Sequence, residues 1–214
     1  MSSALKKLNT LIDPAGVAKL KAKYNRPEYD DYKRRKFLDL DQFLPRNLAH
    51  AERFGLLNSA PKRILDLGSG CGYFPFICRS FGHEVFCVDQ PGIDIFDDVM
   101  DLLGLNRVDL TIRPKTPLGL PWRDIDLVTG LMVKFDAIDD RTRFGRSEWS
   151  YLIADLAGYL RGSARIYFEM NHLPVCPDIE ADNREFFLGK GAKVTGPGLR
   201  EILIADVEPF RPHA

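Results

Sequence analysis

The residues best placed to do chemistry form one run, Ile64-Leu65-Asp66-Leu67-Gly68-Ser69-Gly70-Cys71-Gly72, an apolar stretch with one acid that leads straight into three alternating glycines. Glycine lets a backbone approach a ligand closely, and residues 73–81 then show helical spacing up to Gly82. Strand, glycine turn and helix start in that order make a cradle for a nucleotide-type ligand, because the first turn of a helix offers unpaired N–H groups. The dinucleotide pattern G-x-G-x-x-G is only half met. Gly68 and Gly70 fit it, but Tyr73 holds the third place and the extra glycine stands at Gly72. Asp66 repels a pyrophosphate but attracts an ammonium or sulfonium group. No Gly-Lys-Ser/Thr follows, which excludes a phosphate-binding P-loop.

Other reactive types fall at the ends of apolar runs. Asp89 closes the run 84–89, with Gln90 beside it, and Thr129-Gly130-Leu131 closes another, at the carboxyl edge where open α/β sheets hold ligands. Glu169 and His172 stand at the end of a fifth run, in Glu169-Met-Asn-His172. An imidazole titrates near neutrality and can take a proton, so these two are the candidate catalytic residues. Lys134, Arg141, Arg143 and Arg146 lie in a long mixed-charge connection, 134–147, and can clamp a carboxylate or phosphate; the alternative is a solvated face. Trp149, Tyr151 and Tyr159 have helical spacing and read as core. Cys71, Cys78, Cys87 and Cys176 lack the paired short spacings of a zinc site, so no metal is expected.

The elements that position these residues alternate. Strands are expected at 64–67, 84–89, 108–112, 125–129 and 164–169, with helices at 73–81, 94–103 and from Ser147 to Gly162 between them. Such spacing implies crossover connections and a mainly parallel sheet covered on both faces. After a helix over 178–188, two last strands, 192–195 and 201–206, are joined by five residues, too few for a crossover, so they pair antiparallel. The first 48 residues read instead as helices, one from Asp13-Pro14, one over 29–44 ended by Pro45, and one over 46–54. They form an appendage or lid to a domain over 49–214, closing over a ligand or packing against a second copy as a homodimer.

At Asp66-Leu-Gly-Ser-Gly-Cys-Gly72, with Asp89 23 residues after Asp66, the chain resembles the class I S-adenosylmethionine-dependent methyltransferases. The closing residues 187–194 and 201–204 are similar to that family's close, and the likeness covers roughly 49–206. It implies a Rossmann-like three-layer sandwich with a seven-stranded sheet, or six if one strand is lost, and a C-terminal antiparallel hairpin. It also implies S-adenosylmethionine as cofactor, with Asp66, Gly68, Ser69, Gly70, Cys71 and Gly72 along its methionine and ribose part, Asp89 on the ribose hydroxyls, Gln90 by the adenine, and Thr129, Gly130 and Leu131 nearby. The Asn/Asp-Pro-Pro-aromatic sequence of amino-group methylating members is absent after the fourth strand. That argues against methylation of DNA adenine and related amide or exocyclic-amine chemistry and leaves oxygen, carbon, sulfur or small-molecule amine acceptors.

Thirty basic and thirty acidic residues cancel, so no overall field draws the protein to nucleic acid or an acidic membrane. No leader-like segment opens the chain and no apolar run approaches the roughly 20 residues that span a bilayer. The expected setting is cytoplasmic and the expected partner a small-molecule acceptor. Two rival functions remain, a cofactor-binding scaffold or regulator without turnover and an NAD(P)-dependent oxidoreductase.

Overall fold

A computed structural model describes residues 2–25, 36–133, 135, 144–170, 177–196 and 199–210. All seven expected strands form: β1 (Arg63–Leu67), β2 (Glu84–Asp89), β3 (Arg107–Asp109), β4 (Ile125–Val133), β5 (Leu160–Met170), β6 (Lys193–Thr195) and β7 (Glu201–Ile204). They make one sheet in the order β3-β2-β1-β4-β5-β7-β6. β1 runs parallel to β4, β2 to β3 and β4 to β5, whereas β7 lies antiparallel to both β5 and β6. The architecture is therefore a Rossmann-like α/β sheet that ends in an antiparallel hairpin, as the short connector required.

The chain divides into two compact units, Met1–Pro61 with Ser69–Asp109 and Lys62–Gly68 with Leu110–Ala214. In the first, α1 (Ser3–Thr10) and α3 (Leu40–Arg53) pack together, as do α2 (Pro14–Tyr24) and α5 (Asp94–Leu102), and α4 (Tyr73–Ser80) lies against α3 and β2. Asp13 caps α2 as expected, its two oxygens accepting from the Ala15 and Gly16 amides at 3.0 and 2.9 Å. Leu8, Tyr24, Leu44, Leu48, Leu56, Phe74, Ile77 and Val88 are buried there. In the second unit, α6 (Arg146–Ala157) packs on α7 (Pro177–Gly189), and Trp149 sits 1% exposed among the rings of Phe135, Phe144, Phe168 and Phe187. That places Trp149 in the core rather than in a substrate box.

Several boundaries differ from expectation for identifiable reasons. Pro45 does not end a helix; α3 runs through it, because Leu44, Leu48 and Ala51 bury one continuous face and outweigh the single bond the proline cannot make. The expected helix over 29–44 lies partly outside the described residues, and its part at Lys36–Leu38 is one 3₁₀ turn. β3 stops at Asp109 rather than at 112, since its partner β2 ends at Asp89 directly opposite, leaving later residues nothing to pair with. Ser147 is not the cap of α6. The helix starts one residue earlier, and the Glu148 carboxylate takes the Gly145 N–H at 3.0 Å, a cap supplied from inside the first turn. Gly158 ends α6, so Tyr159 and Leu160 leave the helix and β5 begins at Leu160. Among the described residues no helix is long and apolar enough to cross a membrane.

Candidate active site

In the first unit the glycine turn is knit to β2. The Ser69 N–H donates to the Val88 carbonyl at 3.1 Å, and Ser69 Oγ accepts from the Val88 N–H at 3.2 Å. Gly70 and Gly72 both adopt left-handed φ, +53° and +75°, which glycine allows without a Cβ penalty. Their reasons differ. A Cβ on Gly72 would come within 2.6 Å of Leu105 Cδ1 and 3.2 Å of Met100 Cγ, so this glycine serves packing. Among the described residues a Cβ on Gly70 would meet only Phe96 Cε2, at 4.0 Å, so none of them crowds the backbone there. Of the turn's three glycines, Gly70 is the one that the described side chains leave uncrowded.

Asp89 closes that cradle. Its Oδ2 accepts from the Gly70 N–H at 2.6 Å and its Oδ1 from the Gln90 N–H at 2.7 Å. Each carboxylate oxygen accepts about two hydrogen bonds, so one site per oxygen remains, a pair that suits the two hydroxyls of a vicinal diol. Burial pushes the Asp89 carboxyl above its ordinary range, with the two amides and Arg107 pulling back down and Asp97 pushing up. Gln90 itself is exposed. Cys71 is buried, and burial followed by the Asp89 charge drives its thiol upward, so it stands in the turn as a neutral packing residue.

Tyr73, which the sequence registers only as a missing glycine, has a role of its own. Its hydroxyl donates to the Phe37 carbonyl at 2.5 Å and its ring stacks on Phe43 with centroids 5.5 Å apart. Phe37 in turn meets Phe96 edge-on at 5.0 Å, and Phe96 is the ring nearest Gly70. Residues 37–43 are thus fastened to the start of α4. Burial pushes the Tyr73 hydroxyl upward, with Cys71 and then Asp39 adding to it, so it remains a donor. No periodicity in the sequence foretold this contact, because it joins residues 36 positions apart.

The second unit holds the other half of the expected set. Asp66 and Thr129 are register partners of β1 and β4, both buried, and Thr129 Oγ1 donates to Asp66 Oδ1 at 2.6 Å. Gly68 has φ +71°, and a Cβ on it would come within 2.5 Å of Val133 Cγ2. A Cβ on Gly130 would strike Phe135 and Phe168 at 2.7 and 3.0 Å, so that glycine is explained by ring packing. Leu131 is half-buried opposite Glu169, which is 5% exposed at the end of β5. Arg146 is tied to Asp182 at 2.6 Å and to Glu185 at 2.7 Å on the surface. Lys134, Arg141, Arg143 and His172 lie outside the described residues. Among the described residues there is no cluster of ligating side chains able to hold a metal ion.

The strand order, with a seventh strand antiparallel inside an otherwise parallel sheet, decides the fold. It is a Rossmann-like α/β fold, a mostly parallel sheet closed by an antiparallel hairpin. No protein-family profile matches the chain, and no curated protein matches it. Solved structures do align with it. CalS10, an amino pentose methyltransferase from Micromonospora echinaspora involved in calicheamicin biosynthesis and solved with S-adenosylmethionine bound, is 17% identical, with 62% of this chain and 52% of that chain covered and a TM-score of 0.46. A precorrin-6y C5,15-methyltransferase from Geobacter metallireducens is 13% identical over 73% and 85% of the two chains, TM-score 0.47. A ribosomal protein L11 methylase from Lactobacillus delbrueckii is 16% identical over 78% of each, TM-score 0.43. The chain spans about half the length of CalS10. The Gly70 N–H and the Asp89 carboxylate meet at the carboxyl end of β2.

Proposed function

We propose that the chain is an S-adenosylmethionine-dependent methyltransferase acting on a small-molecule acceptor through oxygen, carbon, sulfur or an amine nitrogen. One observation carries the reading: a turn whose only uncrowded left-handed glycine among its three, Gly70, donates its N–H to an acid with two acceptor sites to spare. Asp89 would hold the ribose hydroxyls and the turn from Gly68 to Gly72 would line the methionine and ribose part. Asp66, steadied by Thr129, would offer its negative charge to the cofactor's amino group. Bound, S-adenosylmethionine supplies an electrophilic methyl on a sulfonium. The protein then has to exclude water, orient the acceptor in line and, for a hydroxyl, accept a proton.

Glu169 and His172 are the proposed proton acceptors, Glu169 from the buried end of β5. Leu131 would border the acceptor, with Lys134, Arg141 and Arg143 following it in the chain. Arg146 would act there only by leaving Asp182 and Glu185. The reading implies a soluble enzyme that meets its acceptor in the cytoplasm. Incubating the protein with methyl-labelled S-adenosylmethionine and a cell extract should label a small molecule. Label confined to protein or nucleic acid would refute the acceptor class, and no label with intact cofactor binding would leave a scaffold as the function.

A further inference from the structure

Arg107 is a long cation in an unusual place, the first residue of an edge strand, with its side chain only 7% exposed. Its Nη2 reaches Asp97 Oδ1 at 2.5 Å and Asp109 Oδ1 at 3.0 Å, and its Nε reaches Asp109 Oδ1 at 3.1 Å. Its Nη1 is buried and donates no hydrogen bond among the described residues. The strand register explains what the cation is needed for. Asp109 is the register partner of Asp89 in the parallel β2–β3 ladder, so two acids occupy neighbouring positions at one sheet edge. Asp97, on α5, adds a third acid to the same neighbourhood.

We propose that Arg107 is a positioning residue for the cofactor site: fixed by Asp97 and Asp109, its buried guanidinium supplies the positive charge that keeps Asp89 a carboxylate ready for two ribose hydroxyls. The inference rests on the proposed function, since it assigns Asp89 to the ribose. The groups around Asp89 are the Gly70 and Gln90 amides, Arg107 and Asp109 on β3, Asp97 on α5 and the Cys71 thiol in the turn. Of these only Arg107 is cationic. Take it away and the balance left is burial and like charge against two neutral amides. A merely structural arginine would weaken binding equally at every pH. A charge-supplying one weakens it most where Asp89 gains a proton.

The test is a calorimetric titration of the whole protein with S-adenosylmethionine from about pH 3, below the ordinary carboxyl range, up to about pH 8. Arg107→Met should move the acid limb of binding to higher pH, losing about tenfold in affinity for each pH unit below its midpoint while converging with the unaltered protein at the alkaline end. Arg107→Lys should restore most of the loss at the acid end. Should Arg107→Met not fold, Arg107→Gln, which keeps amide donors toward Asp97 and Asp109 but carries no charge, answers the same question with the same sign. The carboxyl-carbon resonance of Asp89 in unliganded protein, followed through the same range, should shift its titration with the limb. A uniform loss at all pH, or an Asp89 resonance unmoved by Arg107→Met, overturns the inference. If the unaltered protein takes up no S-adenosylmethionine at any pH, it is the proposed function that fails, and the resonance still decides whether Arg107 governs Asp89.

Discussion

Replacing Gly70 and Gly72 by alanine, one at a time, separates ligand approach from packing within a single turn. Both residues have left-handed φ, +53° and +75°, so each alanine meets a backbone penalty of about 1–2 kcal/mol. Beyond that the two sites diverge. The Gly70→Ala methyl finds Phe96 at 4.0 Å, an ordinary contact, so the penalty ends there and the melting temperature should fall by about 2–8 °C. The Gly72→Ala methyl comes within 2.6 Å of Leu105 and 3.2 Å of Met100, adding about 1–3 kcal/mol of overpacking. That total, about 2–5 kcal/mol, is a large fraction of the stability of a single domain. Binding should show the reverse order. A methyl at Gly70 intrudes where the ligand meets the backbone and should weaken S-adenosylmethionine by about 10- to 100-fold, the same overpacking cost read in affinity. The assays are thermal melting of the unliganded proteins and calorimetric titration of the variants that fold. If Gly70→Ala binds S-adenosylmethionine within about twofold of the unaltered protein, the ligand does not approach at Gly70 and the assignment of the cradle is wrong.

Other expectations follow from the same geometry. Asp89→Ala should weaken S-adenosylmethionine binding by about 1.5–3 kcal/mol through loss of charge-assisted bonds to the ribose, seen by calorimetry; unchanged affinity removes Asp89 from the site. Because burial raises the Asp89 carboxyl, unliganded stability gained from its protonated form is present at low pH and is lost as pH rises through the raised folded value. Cofactor affinity, which needs the carboxylate, runs the opposite way and is lost as pH falls through it. Parallel melts and titrations across that window should slope in opposite directions. Thr129→Val removes the buried donor to Asp66 and should lower stability by about 1–3 kcal/mol, read from chemical denaturation; a neutral result would mean Asp66 is satisfied without it. Tyr73→Phe should speed hydrogen exchange in residues 37–43 while costing only about 0.5–1.5 kcal/mol, and unchanged exchange there would show that the bond to Phe37 fastens nothing.

Much of the fold was legible because its signals are local. Apolar runs ended by acids marked the strands, and a five-residue connector was enough to make the last pair antiparallel. Helix limits were less so. Pro45 breaks a helix by propensity, yet burial of Leu44, Leu48 and Ala51 carries α3 through it. At the site, the glycine spacing pointed to a cradle but could not tell that Gly70, of the turn's three glycines, is the one uncrowded by the described side chains, because Leu105, Met100 and Val133 reach its neighbours from distant positions. Nor could it tell that Phe135 and Phe168 fill the room a side chain at Gly130 would need. Arg107 gave no signal at all. An arginine between Asn106 and Val108 reads as a surface residue until β3 lies beside β2 and sets Asp109 against Asp89.

The central claim is that the cradle formed by the glycine turn and Asp89 takes S-adenosylmethionine, and titration of the unaltered protein with that compound tests it most directly, with NADH as the rival ligand. The account predicts saturable, single-site binding of S-adenosylmethionine, a higher melting temperature in its presence, and loss of both in Asp89→Ala. Heat and stabilisation from NADH with none from S-adenosylmethionine would contradict it.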